Sequence, residues 1–174
     1  MAVLRVARAG RHLDGYVDTL IEKMFLDERK FFIRGYGIVD STPAMVANSL
    51  NSVRQTWRKN NKIKVHYMEL HIEYEAGKEI VLMVADIMGR FFYTQGFQSL
   101  ITAIDGGNEY MIVIAVNATA FLGDYSFHDN NSTYQQILEF LRVHTLLTWR
   151  VAVSQNTLFD PAIRDGNYIH GIYV

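Results

Sequence analysis

Residues 98–117 read QSLITAID-GGN-EYMIVIAVN, two apolar stretches (98–105 and 109–117) separated by Gly106, Gly107 and Asn108. Residues that tolerate positive φ between two β-type runs predict a tight antiparallel hairpin. Both runs are apolar almost throughout, as strands are when a sheet is covered on both faces. The hairpin therefore belongs at the centre of a sheet.

Working outward, the pattern alternates between helix and strand. Upstream, Ile80, Val84, Ile87, Met88, Phe91 and Phe92 recur at three-to-four spacing and predict a helix over 78–95, stopped by Gly96. Before it, IKVHYMELHIEYE (63–75) has the β-branched and aromatic density of a strand, and EAGK makes the turn. Still earlier, DSTPAMVANSLNSVRQTWRKNN (40–61) is a capped helix: Ser41 or Thr42 caps, and Pro43 suits the first turn. Val46, Leu50, Val53 and Trp57 share its apolar face, Arg54, Arg58 and Lys59 favour its C-terminal dipole, and Asn60-Asn61 ends it. FFIRGYGIV (31–39) predicts a strand. Leu13, Tyr16, Val17, Leu20, Ile21, Met24 and Phe25 predict a helix, and AVLRVAR (2–8) an opening strand. Downstream, Ser132 or Asn131 caps a helix carrying Tyr134, Ile137, Leu138 and Leu141, and TWRVAVS (148–154) closes the pattern as a strand. The order β-α-β-α-β-α-β-β-α-β predicts an α+β fold, one domain over 1–174, with a mainly antiparallel central sheet and helices packed on it.

Composition narrows the function classes. The 174 residues include no cysteine, which excludes a disulfide framework, a thiolate nucleophile and Cys-ligated zinc. The apolar runs are too short to span a bilayer, and Arg5, Arg8 and Arg11 interrupt any signal-like stretch, so a cytoplasmic protein without membrane contact is expected. No nucleotide-cofactor fingerprint is present, and no cofactor is expected. Net charge is −1, yet residues 1–64 carry 12 Lys/Arg against 6 Asp/Glu while the remainder is acidic. Arg5, Arg8, Arg11, Arg54, Arg58, Lys59, Lys62 and Lys64, with Tyr16, Trp57 and Tyr67 nearby in sequence, are the candidate nucleic-acid-binding set, since single strands are held by a cationic groove and stacking rings. His66 and His71 stand five apart on one strand, so they point to opposite faces and share no metal. Asp129 is expected to cap or turn the chain before the last helix.

Several stretches together resemble the N-terminal domain of plasmid and transposon mobilization relaxases, within the HUH endonuclease superfamily. They are GRHLDGYVDTLI (10–21), STPAMVANSLNSVRQTWRKNNKIKVHYMELHI (41–72), RFFYTQGF (90–97), the hairpin itself, and FHDNNSTYQQILEFLR (127–142). The resemblance covers roughly residues 1–150 and is one of pattern and order. It implies a relaxase-like fold, a tyrosine nucleophile that attacks a DNA phosphodiester, and a divalent metal held by three histidines on the hairpin. Here the hairpin reads AIDGGNEYMIVI, and no histidine occurs between His71 and His128. Glu109 matches the middle place of a His/Glu/Asn ligand variant, but Ala103 and Met111 fall where the flanking ligands belong. Thr19 falls at the tyrosine position, with Tyr16 one turn earlier. The resemblance thus implies a non-nicking homologue from a mobile element, a single-stranded DNA-binding accessory to conjugative transfer with no metal site. Two alternatives stand beside it. One is a protein–protein module that pairs with an active relaxase or with a second copy of itself. The other is a nuclease with a site rebuilt from Tyr16, Asp105, Glu109 and His128.

Overall fold

The computed structural model describes residues 2–7, 15–60, 63–151, 163–164 and 167–168. Its elements are β1 (Ala2–Ala7), α1 (Tyr16–Leu26), β2 (Lys30–Tyr36), α2 (Pro43–Thr56), β3 (Val65–Glu73), a 3-10 turn (Tyr74–Ala76), α3 (Lys78–Thr94), β4 (Ser99–Asp105), β5 (Glu109–Asn117), α4 (Asn131–His144) and β6 (Trp149–Val151). A two-residue pair, β7 (Ile163–Arg164) and β8 (Asn167–Tyr168), forms a separate small ladder.

The main sheet runs β2-β4-β5-β3-β1-β6. All its pairings are antiparallel except β1 with β6, which is parallel. The predicted hairpin does occupy the centre. β4 and β5 pair in register from Ser99↔Val116 to Asp105↔Tyr110, and the Gly106 N–H donates to the Glu109 carbonyl at 2.9 Å across the turn.

Strand periodicity sorts the side chains into two cores. Leu4, Met68, Leu70, Ile72, Ile112 and Ile114 point to one face, where they meet Val84, Met88 and Phe92 of α3 and Ile137, Leu138 and Leu141 of α4. Val65, Tyr67, Val113 and Ala115 point to the other, where Tyr16, Leu20 and Met24 of α1 and Val46 and Leu50 of α2 cover them. The sheet is thus sandwiched between two helical layers, which is why its central strands carry apolar residues at both parities.

Helix ends show where the sequence reading shifts. Thr42 caps α2 through Oγ1, which accepts from the Met45 N–H at 3.2 Å, with Pro43 in the first turn. The cap of α4 is Asn130, one residue before the two expected: its Oδ1 accepts from the Thr133 N–H at 3.0 Å. Helix α3 ends as read, with Gly96 at φ 89 and the Phe97 N–H returning to the Phe92 carbonyl. Helix α2 uses the same closure earlier than Asn60-Asn61. The Arg58 N–H donates to Gln55 and the Lys59 N–H to Arg54, with Arg58 left-handed at φ 53. A glycine normally takes that place, so Arg58→Gly is expected to raise stability by about 0.5–1 kcal/mol in urea unfolding. An unchanged midpoint would mean that the left-handed residue carries no strain. Strand β2 stops at Tyr36, short of Val39, because the chain folds back there: the Gly35 N–H donates to Asp40 Oδ2 at 2.7 Å and the Val39 N–H to Ser49 Oγ at 3.1 Å.

Tyr36 locks β2 to α3. Its hydroxyl donates to Asp86 Oδ1 at 2.9 Å, Arg90 Nε donates to Asp86 Oδ2 at 2.8 Å, and Arg34 lies over the Tyr36 ring. Burial alone would raise the Asp86 carboxyl, but the hydrogen bonds from Tyr36 and Arg90 outweigh it and hold the group below the usual range. Burial, then Asp86, pushes the Tyr36 hydroxyl upward, so it remains a donor.

Candidate functional site

The second face of the sheet carries charge where a core would be expected. Residues 65, 67, 69 and 71 of β3 share that face, and after Val65 and Tyr67 come Glu69 and His71, both almost fully buried. His71 Nε2 lies 2.7 Å from Glu69 Oε2, and His71 Nδ1 lies 2.5 Å from Glu109 Oε1 on β5. The Tyr67 hydroxyl donates to the other oxygen of Glu69. Arg5, half-buried on β1, stands directly opposite Glu69 in the register. Two adjacent strands, β3 and β5, therefore assemble a relay Tyr67–Glu69–His71–Glu109.

Stoichiometry decides what this relay can do. An ionised carboxylate only accepts, so two ionised carboxylates on one imidazole require N–H on both ring nitrogens. The array ties β3 to β5 through charge-assisted hydrogen bonds. It does not fit the metal that the resemblance implies. A metal holds N and O donors about 2.0–2.2 Å from itself, which spreads them to about 3 Å or more from each other. Separations of 2.5 and 2.7 Å close that space. Ala103 and Met111, at the places of the flanking ligands, are buried in opposite cores. Among the described residues no group of three or more His, Asp or Glu has the arrangement of a metal site.

The proposed rebuilt site is not assembled. Asp105 faces the α3 side, where it accepts from the Tyr74 hydroxyl and from the Gly107 N–H at 3.1 Å, with Lys78 Nζ at 3.7 Å. The hydrogen bond to Asp105 pushes the exposed Tyr74 hydroxyl up to about 12. Glu109 points to the opposite face, toward His71. His128 is exposed beyond the far end of β5, held there by the Thr119↔Ser126 bridge. Tyr16 is buried in the α1–α2 core, on the same face as the relay. His66 and His71 do point to opposite faces: His66 packs on Phe127 at 4.9 Å, with Asp129 at 3.8 Å. Asp129 does not cap α4; it accepts from the Tyr134 hydroxyl.

Of the basic set, Arg8, Arg11 and Lys62 lie outside the described residues. Arg5 faces Glu69, away from solvent-exposed company. At the end of α2, Arg58 is exposed, as is Lys64 just beyond it, and Lys59 pairs with Asp124 at 2.5 Å. Arg54 is half-buried and donates to Asn51 Oδ1 at 2.9 Å; burial lowers its guanidinium below the usual range. Trp57 beside them is half-buried. No helix among the described residues is long and apolar enough to cross a membrane. Comparisons with protein-family models, curated proteins and solved structures find no match to this chain.

Sequence reading weighs His71 only against His66 and sets Glu109 in another cluster. It missed Glu69. The available signal was Glu69 and His71 at two-residue spacing inside an otherwise apolar strand, which puts two ionisable groups on one buried face.

Proposed function

We propose that this chain is a relaxase-like protein of a plasmid or other mobile element that binds single-stranded DNA without nicking it. The observation that carries the reading is the closed carboxylate–imidazole–carboxylate relay beside the central hairpin. It takes up Glu109, the one hairpin residue that matches a ligand of the resembled family, and its 2.5 and 2.7 Å spacings support a reading without a metal. What remains for the DNA is a cationic helix end, with Arg58 and Lys64 exposed and Trp57 between Arg54 and Arg58 in sequence.

Fluorescence anisotropy with a labelled single-stranded oligonucleotide tests it. Affinity is expected to fall about tenfold or more between about 50 and 200 mM salt, as released counterions return. Replacing Arg54, Arg58 and Lys59 together with Ala is expected to remove the binding. No binding at low salt sinks the DNA role. Cleavage of the oligonucleotide with Mn²⁺, stopped by Tyr16→Phe, sinks the non-nicking assignment.

A pairing role has its own support in Val143 and Leu146 at the end of α4, which are 68% and 105% exposed beside the partly buried Phe140 and Phe91. A dimer mass in light scattering, lost in Leu146→Glu, supports that second reading.

A further inference from the structure

On the α3–α4 side, the end of α3, the 118–128 segment and the start of α4 enclose a cavity of about 170 Å³. Its walls are aromatic. Phe97 stands edge-on to Phe127 at 5.5 Å and 81°, and edge-on to Tyr125 at 5.6 Å and 89°, while Phe92 closes the floor against Phe127. Engineered apolar cavities of about 150 Å³ admit one benzene ring, so this space fits a single six-membered ring. Its exposed lining is polar: Gln95, His128 and Gln136 contribute amide donors and acceptors and an imidazole.

The basic end of α2 meets the 118–128 segment, part of which lines this cavity. Lys59 Nζ reaches Asp124 at 2.5 Å, one residue before Tyr125, and the Ala118 N–H donates to the Lys64 carbonyl at 3.0 Å. Lys59 and the Lys64 backbone are thereby tied to the same segment whose rings line the cavity. Phosphate-binding charge next to a one-ring aromatic slot with an amide rim is the chemistry that takes a nucleotide. A phenylalanine side chain would fill the slot but leave the rim amides without use.

We propose that this cavity receives one pyrimidine base of a single-stranded nucleic acid whose backbone lies on the α2 end. The inference rests on the DNA-binding reading above. Thymine edges offer one N–H and two carbonyls, which match glutamine amides in the mouth, while the ring enters between Phe97, Phe127 and Tyr125.

The test compares a thymidine oligomer of about 15 nucleotides with an abasic oligomer of the same length at about 50 mM salt. The wild-type chain is expected to bind the thymidine strand at least about tenfold tighter. Gln136→Trp places an indole over the mouth from an exposed helix position and is expected to reduce the thymidine strand to the abasic affinity. Its circular dichroism spectrum and melting temperature check that the fold persists. Arg58→Ala with Lys64→Ala is expected to weaken both strands alike. Equal binding of the two strands by the wild type overturns the base slot and leaves the DNA reading in place. Absence of binding to either overturns both. Aromatic NMR shifts of Phe97 and Phe127 caused by p-cresol but not by thymidine monophosphate also overturn the slot, assigning it to a protein side chain.

Discussion

A Gly89→Ala variant is expected to melt about 4–12 °C below the wild type, a net loss of about 2–3 kcal/mol. Helix propensity alone says the reverse, since alanine is favoured over glycine by about 1 kcal/mol inside a helix. Geometry decides the sign. A Cβ on Gly89 would come within 2.1 Å of Tyr36 Cε2 and 2.3 Å of Cζ. The ring has little freedom to retreat, because it is buried, its hydroxyl is bound to Asp86, and Arg34 covers its face. Thermal unfolding of Gly89→Ala, Tyr36→Ala and the double variant checks the cause: the double should lose less than the sum of the singles. A Gly89→Ala protein that melts at or above the wild-type temperature would falsify the claim that α3 is seated on Tyr36.

His71→Leu is expected to cost about 3–5 kcal/mol, because it removes one charged partner from a Glu69 carboxylate buried away from water. The isosteric apolar side chain fills the space, so the loss measures charge rather than cavity. Pairing it with Glu69→Met should restore at least about half of that loss in urea unfolding, since a buried ion pair replaced by apolar groups is often neutral. If the single variant unfolds within about 1 kcal/mol of the wild type, Glu69 and His71 are not the electrostatic unit described here.

Elements were readable where a local rule sufficed. The Thr42-Pro43 start, the Gly96 stop and the Gly106-Gly107-Asn108 link each act within a few residues, and each stands where the sequence places it. The end of α2 was missed because Arg58 does the work of a glycine, a substitution that composition hides. Strand order beyond the central hairpin was not readable. Nothing in AVLRVA announces that it lies between β3 and a strand near residue 150.

The candidate site was less readable for the same reason. Glu69 and Glu109 meet through His71 only once β3 and β5 are in register, a pairing between residues about forty positions apart. Asp105 and Glu109 looked like partners in sequence, but the hairpin sends them to opposite faces. Likewise Gly89 reads as a tolerated helix glycine until β2 brings Tyr36 across it.

The seam between β1 and β6 has a consequence for synthesis. During translation β1 can pair with β3 as soon as that strand emerges, but its other edge waits until Trp149 follows. Over that interval a row of bare amides and carbonyls stays unpaired, open to any strand of a neighbouring nascent chain. The last rung to form is thus also the one that shields the nascent polypeptide from polymerising through β1.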